Sequence, residues 1–166
     1  RRRSSALPAL SVFLERLAES SPNAAGDRRW LYVPYDQLGA NLGPLAREPA
    51  DELGIVVVES AWKARRRPYH KQKLALLLAN QRQFALEQAG RGVAVRFVAT
   101  DAPFGAAPRD VASELGPLRA MLPAERELRV ELEPLAKDEL LEWIPHEGWL
   151  TTPEDFAESQ GDPPWR

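Results

Sequence analysis

"GIVVVES" occupies residues 54–60, and its reading decides the fold. Ile55, Val56, Val57 and Val58 follow one another without polar alternation. Such a run indicates a strand buried on both faces, as in a parallel sheet. A strand covered on both sides requires helices above and below it, so helical patterns are expected between this strand and the next. The stretch 69–89 supplies one. Leu74, Leu77, Leu78, Gln81, Phe84, Ala85 and Gln88 recur at helical spacing and place the apolar residues on one stripe. "GRG" (90–92) ends that helix, and "VAVRFVA" (93–99) returns as a strand.

The same alternation extends outward. Upstream, "WLYVPY" (30–35) is a compact apolar run that reads as the first strand, with Pro34 at its end. "DQLGANLGPLAREPADEL" (36–53) holds two glycines and two prolines and reads as a loop with one turn of helix. Downstream, the pattern predicts a short helix over 109–116, a strand over 117–122, a helix over 124–139 and a fifth strand, "LLEWIP", over 140–145. Pro123 suits a first helical position, whereas Pro134 must kink or shorten the helix that contains it. Thr152 before Pro153, Glu154 and Asp155 is a helix-start signal. Residues 5–19 form an amphipathic helix candidate, followed by a linker-like stretch, "SSPNAAGDRR" (20–29). The expected fold class is therefore α/β, a five-stranded parallel sheet with helices on both faces.

Composition narrows the function. The chain has 166 residues, 44% hydrophobic and 28% charged, with a net charge of −2. Those values suit an ordinary globular domain and give no global argument for a nucleic-acid or membrane-surface partner. There is no cysteine, which excludes disulfides and thiolate-held metal centres in this chain. His70 and His146 are too few for a multi-histidine metal site. No apolar run approaches the roughly 18–20 residues of a membrane span, and a cytoplasmic location is expected. The chain opens on Arg and stops at "GDPPWR", so it reads as part of a longer protein.

Motifs narrow it further. Neither G-x-G-x-x-G nor G-x-x-x-x-G-K-[ST] occurs, so the two commonest phosphate cradles are missing. No G-x-S-x-G nucleophile turn is present. In open parallel sheets, ligands sit beyond the C-terminal strand ends, near the point where strand order reverses. Asp36 and Glu59 end two of the predicted strands there. Two carboxylates at such a mouth either hold hydroxyls or ring N–H groups of a ligand, or cap their loops in solvent. Arg65, Arg66, Arg67, His70, Lys71 and Lys73 crowd the expected start of the long helix. They read either as a phosphate or DNA contact or as a solvated basic edge. Trp62, Trp143 and Trp149 read as a stacking surface or as core, with core favoured for Trp143. His146, in "PHEGW", reads as a turn residue.

Taken in order, "DQL" (36–38), "VVVES" (56–60), "YHKQKLALLLANQRQFALEQAGRGVAVRFV" (69–98), "LPAERELR" (122–129) and "WLTTPEDF" (149–156) resemble the N-terminal domain of the photolyase-related proteins. The branch resembled is that of the iron–sulfur bacterial cryptochromes and photolyases. The resemblance covers residues 29–160, with 1–28 as an added helix and linker and 161–166 as the start of a linker to a further domain. It implies a Rossmann-like unit that carries an antenna chromophore, a ribityl lumazine, with Asp36, Gln37, Leu38 and Glu59 as the chromophore-binding positions. It further implies a C-terminal helical domain, absent from this chain, that holds FAD and an iron–sulfur cluster and meets DNA. The parent would be a light-driven DNA repair enzyme, a carbon–carbon lyase, or a photoreceptor. The present chain alone would not be catalytic. The other reading is a free-standing module that binds a nucleotide-like ligand or a protein without photochemistry.

Three departures from the resembled pattern bear on chromophore binding rather than on the fold. Tyr35 stands where Gly usually precedes "DQL". Lys63 stands where an acidic residue is common. Leu122 replaces the Glu of "EPxE", although Glu125 is kept.

Overall fold

The computed structural model describes residues 8–22, 27–66, 68–148, 151 and 153–160. Five strands form one sheet: Arg29–Tyr32 (β1), Leu53–Ser60 (β2), Ala94–Thr100 (β3), Leu118–Met121 (β4) and Leu141–Ile144 (β5). Every pairing is parallel, and the spatial order is β3-β2-β1-β4-β5. The helices are Pro8–Ser20 (α1), Pro44–Arg47 (α2), Trp62–Arg66 (α3), Lys71–Gly90 (α4), Ala106–Leu115 (α5), Arg126–Lys137 (α6) and Pro153–Gln160 (α7). The chain is therefore α/β, with a five-stranded parallel sheet and helices on both faces. The expected linker at 161–166, the N-cap at Thr152 and Trp149 lie outside the described residues.

The valine run of β2 explains the layering. Ile55 and Val57 point to one face, where they meet Leu31, Leu45 and Phe84 of α4. Val56 and Val58 point to the other, where they meet Val111 of α5 and Leu128 and Leu132 of α6. All four are at most 2% exposed. Burying side chains of this size contributes about 1.5–3 kcal/mol each, so a polar residue anywhere in the run is unfavourable. α1 adds a further layer by packing Phe13 and Leu17 against Ala85 and Ala89 of α4. The Phe13 ring meets Phe97 of β3 edge-on at 4.7 Å.

Local chemistry sets the element ends. β1 stops at Tyr32, although the Val33 amide still donates to the Val56 carbonyl at 2.9 Å. Pro34, which has no amide hydrogen, cannot extend the ladder. α6 runs three residues past Pro134, which costs it one internal hydrogen bond but does not end it. The basic stretch divides at Pro68. Lys63, Arg65 and Arg66 close the short helix α3, and α4 begins only at Lys71. A helix C-terminus attracts cations, so these three are favourably placed where a single long helix would have set them against its dipole. Arg65 also pairs with Asp101 at 3.0 Å.

An ion-pair network holds the loop after β1 to β4. Arg119 donates to both oxygens of Glu48 at 2.7 and 3.0 Å, and Arg29 reaches the same carboxylate at 3.2 Å. The Arg119 hydrogen bonds hold the Glu48 carboxyl below its ordinary value of 4.5. A carboxyl whose folded-state value is depressed stabilises the fold above its unfolded value and loses that contribution as pH falls through the folded value. The urea midpoint is therefore expected to drop as pH is lowered from about 5 to about 3. Glu48→Gln should flatten that drop, and an unchanged profile in the variant would remove Glu48 from the account.

Candidate functional site

Strand order reverses at β1, which lies between β2 and β4. Ligand crevices in such sheets open above the C-terminal strand ends at that point. The four predicted positions take up separate places around it. Asp36 is exposed in the loop that follows β1. Gln37 is 6% exposed and does not line the cavity; its side-chain amide donates to the Met121 carbonyl at 3.1 Å and to the Leu122 carbonyl at 3.4 Å. It ties the end of β1 to the end of β4. Leu38 packs into the core on the α4 face. Glu59 alternates with Ser60, so it shares the α4 face with Ile55 and Val57. There both of its oxygens accept from Arg82, at 2.7 Å each.

The cavity above the strand ends has a volume of about 260 Å³. Its walls come from five segments distant in sequence. Tyr35 follows β1, Ser60 ends β2, Phe104 follows β3 and Glu125 follows β4. Lys63 and Ala64 of α3, Tyr69, and Lys73, Leu74 and Leu77 of α4 complete it. The Tyr35 and Phe104 rings lie 5.1 Å apart at a tilt of 45° and form an aromatic wall. Leu74 and Leu77 add apolar surface because the start of α4 continues the helix's core stripe beyond the strands.

Lys63 organises the polar side. Its ammonium contacts the Glu125 carboxylate, donates to the Tyr35 hydroxyl at 3.3 Å and lies 3.4 Å from Glu127. Partial burial, Glu127 and Glu131 push the Glu125 carboxyl upward, and the Lys63 ammonium in contact with it opposes that push. Ser60 has its one donor hydrogen in use. Its hydroxyl donates to the Ala102 carbonyl at 2.7 Å and accepts from the Trp62 amide at 3.2 Å. On the far side of Lys63, a larger groove of about 460 Å³ runs between Trp62, Arg66, Arg126 and Val130. Arg66 stacks over the Trp62 ring at 4.4 Å.

Two of the departures noted in sequence, Tyr35 and Lys63, thus meet in one cluster with the retained Glu125. Phe104 escaped sequence reasoning, although a lone aromatic in "TDAPFGAAP" (100–108) was the available signal. Trp143 packs partly buried against the core, and the half-buried His146 accepts the Gly148 amide in a turn at 3.0 Å. Among the described residues, no group of three or more acidic or histidine side chains is placed to hold a metal ion. No helix among them is long and apolar enough to cross a membrane.

Sheet order and crevice together define a Rossmann-like α/β domain with an open cavity at its switch point. The sequence profile of the deoxyribodipyrimidine photo-lyase-related proteins matches residues 31–163, and the chain belongs to that family. No individually curated protein matches it.

Proposed function

We propose that the chain is the antenna-type domain of a photolyase-related flavoprotein, and that the crevice beneath α3 and α4 holds, or descends from, its chromophore site. The parent protein would act in light-driven DNA repair or photoreception, within the iron–sulfur branch. FAD and the cysteine-held cluster would sit in a C-terminal helical domain, through which alone DNA would be reached. That division agrees with the absence of cysteine from this chain. The carrying observation is the position of an aromatic-walled cavity over the end of β1, where strand order reverses.

The cavity fits the ring of a ribityl lumazine better than it fits the whole molecule. Sites for ligands of that size usually span about 300–1,000 Å³, and this one offers about 260 Å³. Tyr35 and Lys63 fill the remainder. Phe104 would border the ring, while Asp36, exposed in the loop after β1, would meet the ribityl hydroxyls. A bound lumazine would supply light absorption and pass its excitation to FAD.

Fluorescence anisotropy of ribityl lumazine, titrated with the wild-type chain and with Tyr35→Gly, tests this reading. Removing the phenol should raise affinity about tenfold, or about 1.4 kcal/mol. No binding by either protein at high micromolar concentration would sink the antenna role.

A further inference from the structure

We infer that the crevice, in its present form, selects a compact aromatic anion: one ring or a fused pair bearing a carboxylate. The inference rests on reading this crevice as the ligand site, and it follows from which hydrogen-bonding groups remain unspent. Glu125 is the one carboxylate among the lining residues, and Lys63 occupies it. Ser60 has both given and accepted a hydrogen bond. The Tyr35 oxygen already accepts from Lys63, which leaves its O–H to donate. Tyr69 adds a second hydroxyl to the lining.

Lys73 adds an ammonium, and it has no carboxylate partner among the described residues. The groups left for a ligand are therefore mainly donors, with one uncompensated positive charge. A polar edge that meets them must accept hydrogen bonds, and a negative one also balances Lys73. The remaining walls, from Tyr35, Phe104, Leu74 and Leu77, suit a flat apolar body. The small volume limits its size. With Lys63 in place of an acidic residue, the side chain at that position donates hydrogen bonds where a carboxylate would accept them.

Titration calorimetry on the full chain tests this with naphthoate, its neutral amide and ribityl lumazine as probes. Naphthoate should bind about tenfold more tightly than naphthamide. Lys73→Met should abolish that preference and leave naphthamide unchanged, while Lys73→Arg should keep it. Lys73 is exposed, so both variants should fold, and circular dichroism checks this. Equal affinity for acid and amide, or a preference that survives Lys73→Met, overturns the inference. Lumazine binding the wild type more tightly than naphthoate also overturns it, while the antenna reading stands. Naphthoate preference combined with no lumazine binding to Tyr35→Gly supports the inference and removes the antenna reading. Binding of no probe to any variant removes both.

Discussion

Gly54→Ala should destabilise the domain by about 3 kcal/mol, although an added methyl in a strand ordinarily helps. Replacing glycine by alanine usually gains several tenths of a kcal/mol by restricting the unfolded chain. Here the new Cβ would lie 2.5–2.7 Å from three carbons of the Trp30 indole, closer than nonbonded carbons approach. Gly54 and Trp30 are paired residues in the β2–β1 register, so their side chains share one face. The indole is 5% exposed and belongs to the α5/α6 cluster, so it cannot turn aside without disturbing the packing. Urea unfolding followed by circular dichroism gives the number, and a second variant identifies the cause. Trp30→Leu should recover part of the loss in the double variant, the signature of two side chains competing for one space. A change below about 0.5 kcal/mol for Gly54→Ala alone would contradict the close packing of β1 on β2.

Glu59→Ala is expected to cost about 2–3 kcal/mol and to leave affinity at the crevice within about twofold of the wild type. The carboxylate is 12% exposed and its partner Arg82 is 26% exposed, so neither is well hydrated. Truncating Glu59 strands a guanidinium that also lies over the Phe13 ring, 5.7 Å from its centre. That stranded charge, more than the lost attraction, accounts for the size of the effect. Arg82→Ala should cost a similar amount, and the double variant should cost less than the two added together. This comparison separates the two readings of Glu59. A ligand contact would lose affinity for naphthoate or lumazine at unchanged stability. A clamp holding α4 and α1 on the sheet would lose stability at unchanged affinity, and the bidentate geometry favours the clamp.

The position of Glu59 also shows where reading a sequence reaches its limit. That it ends a buried strand follows from four uninterrupted apolar residues before it, and it does lie in β2 beside the end of β1. Which way its carboxylate points depends on the register of side chains within the strand. A shift of one residue reverses the answer, and Ser60, one position on, is the residue that reaches the crevice. Gln37 presents the same limit. Its motif marks the right loop, but that its amide spans to Met121 and Leu122 depends on β4 lying beside β1.

By itself the sequence determined the five strands, the parallel sheet and the layers on its two faces. These follow from hydrophobic periodicity within short windows, and burial acts on each window almost independently. It also determined that "DQL" and the end of "VVVES" stand at the C-terminal edge of the strands, because strand polarity alone fixes that edge in a parallel sheet. Only the tertiary structure decided the chemistry of the crevice. Tyr35, Lys63, Phe104, Lys73 and Glu125 converge from separate segments, and their hydrogen bonds determine which donors remain for a ligand. No local spacing encodes that juxtaposition. It arises when chain crossovers bring the ends of β1, β2, β3 and β4 together, and each polar group is then satisfied by whichever neighbour lies within reach.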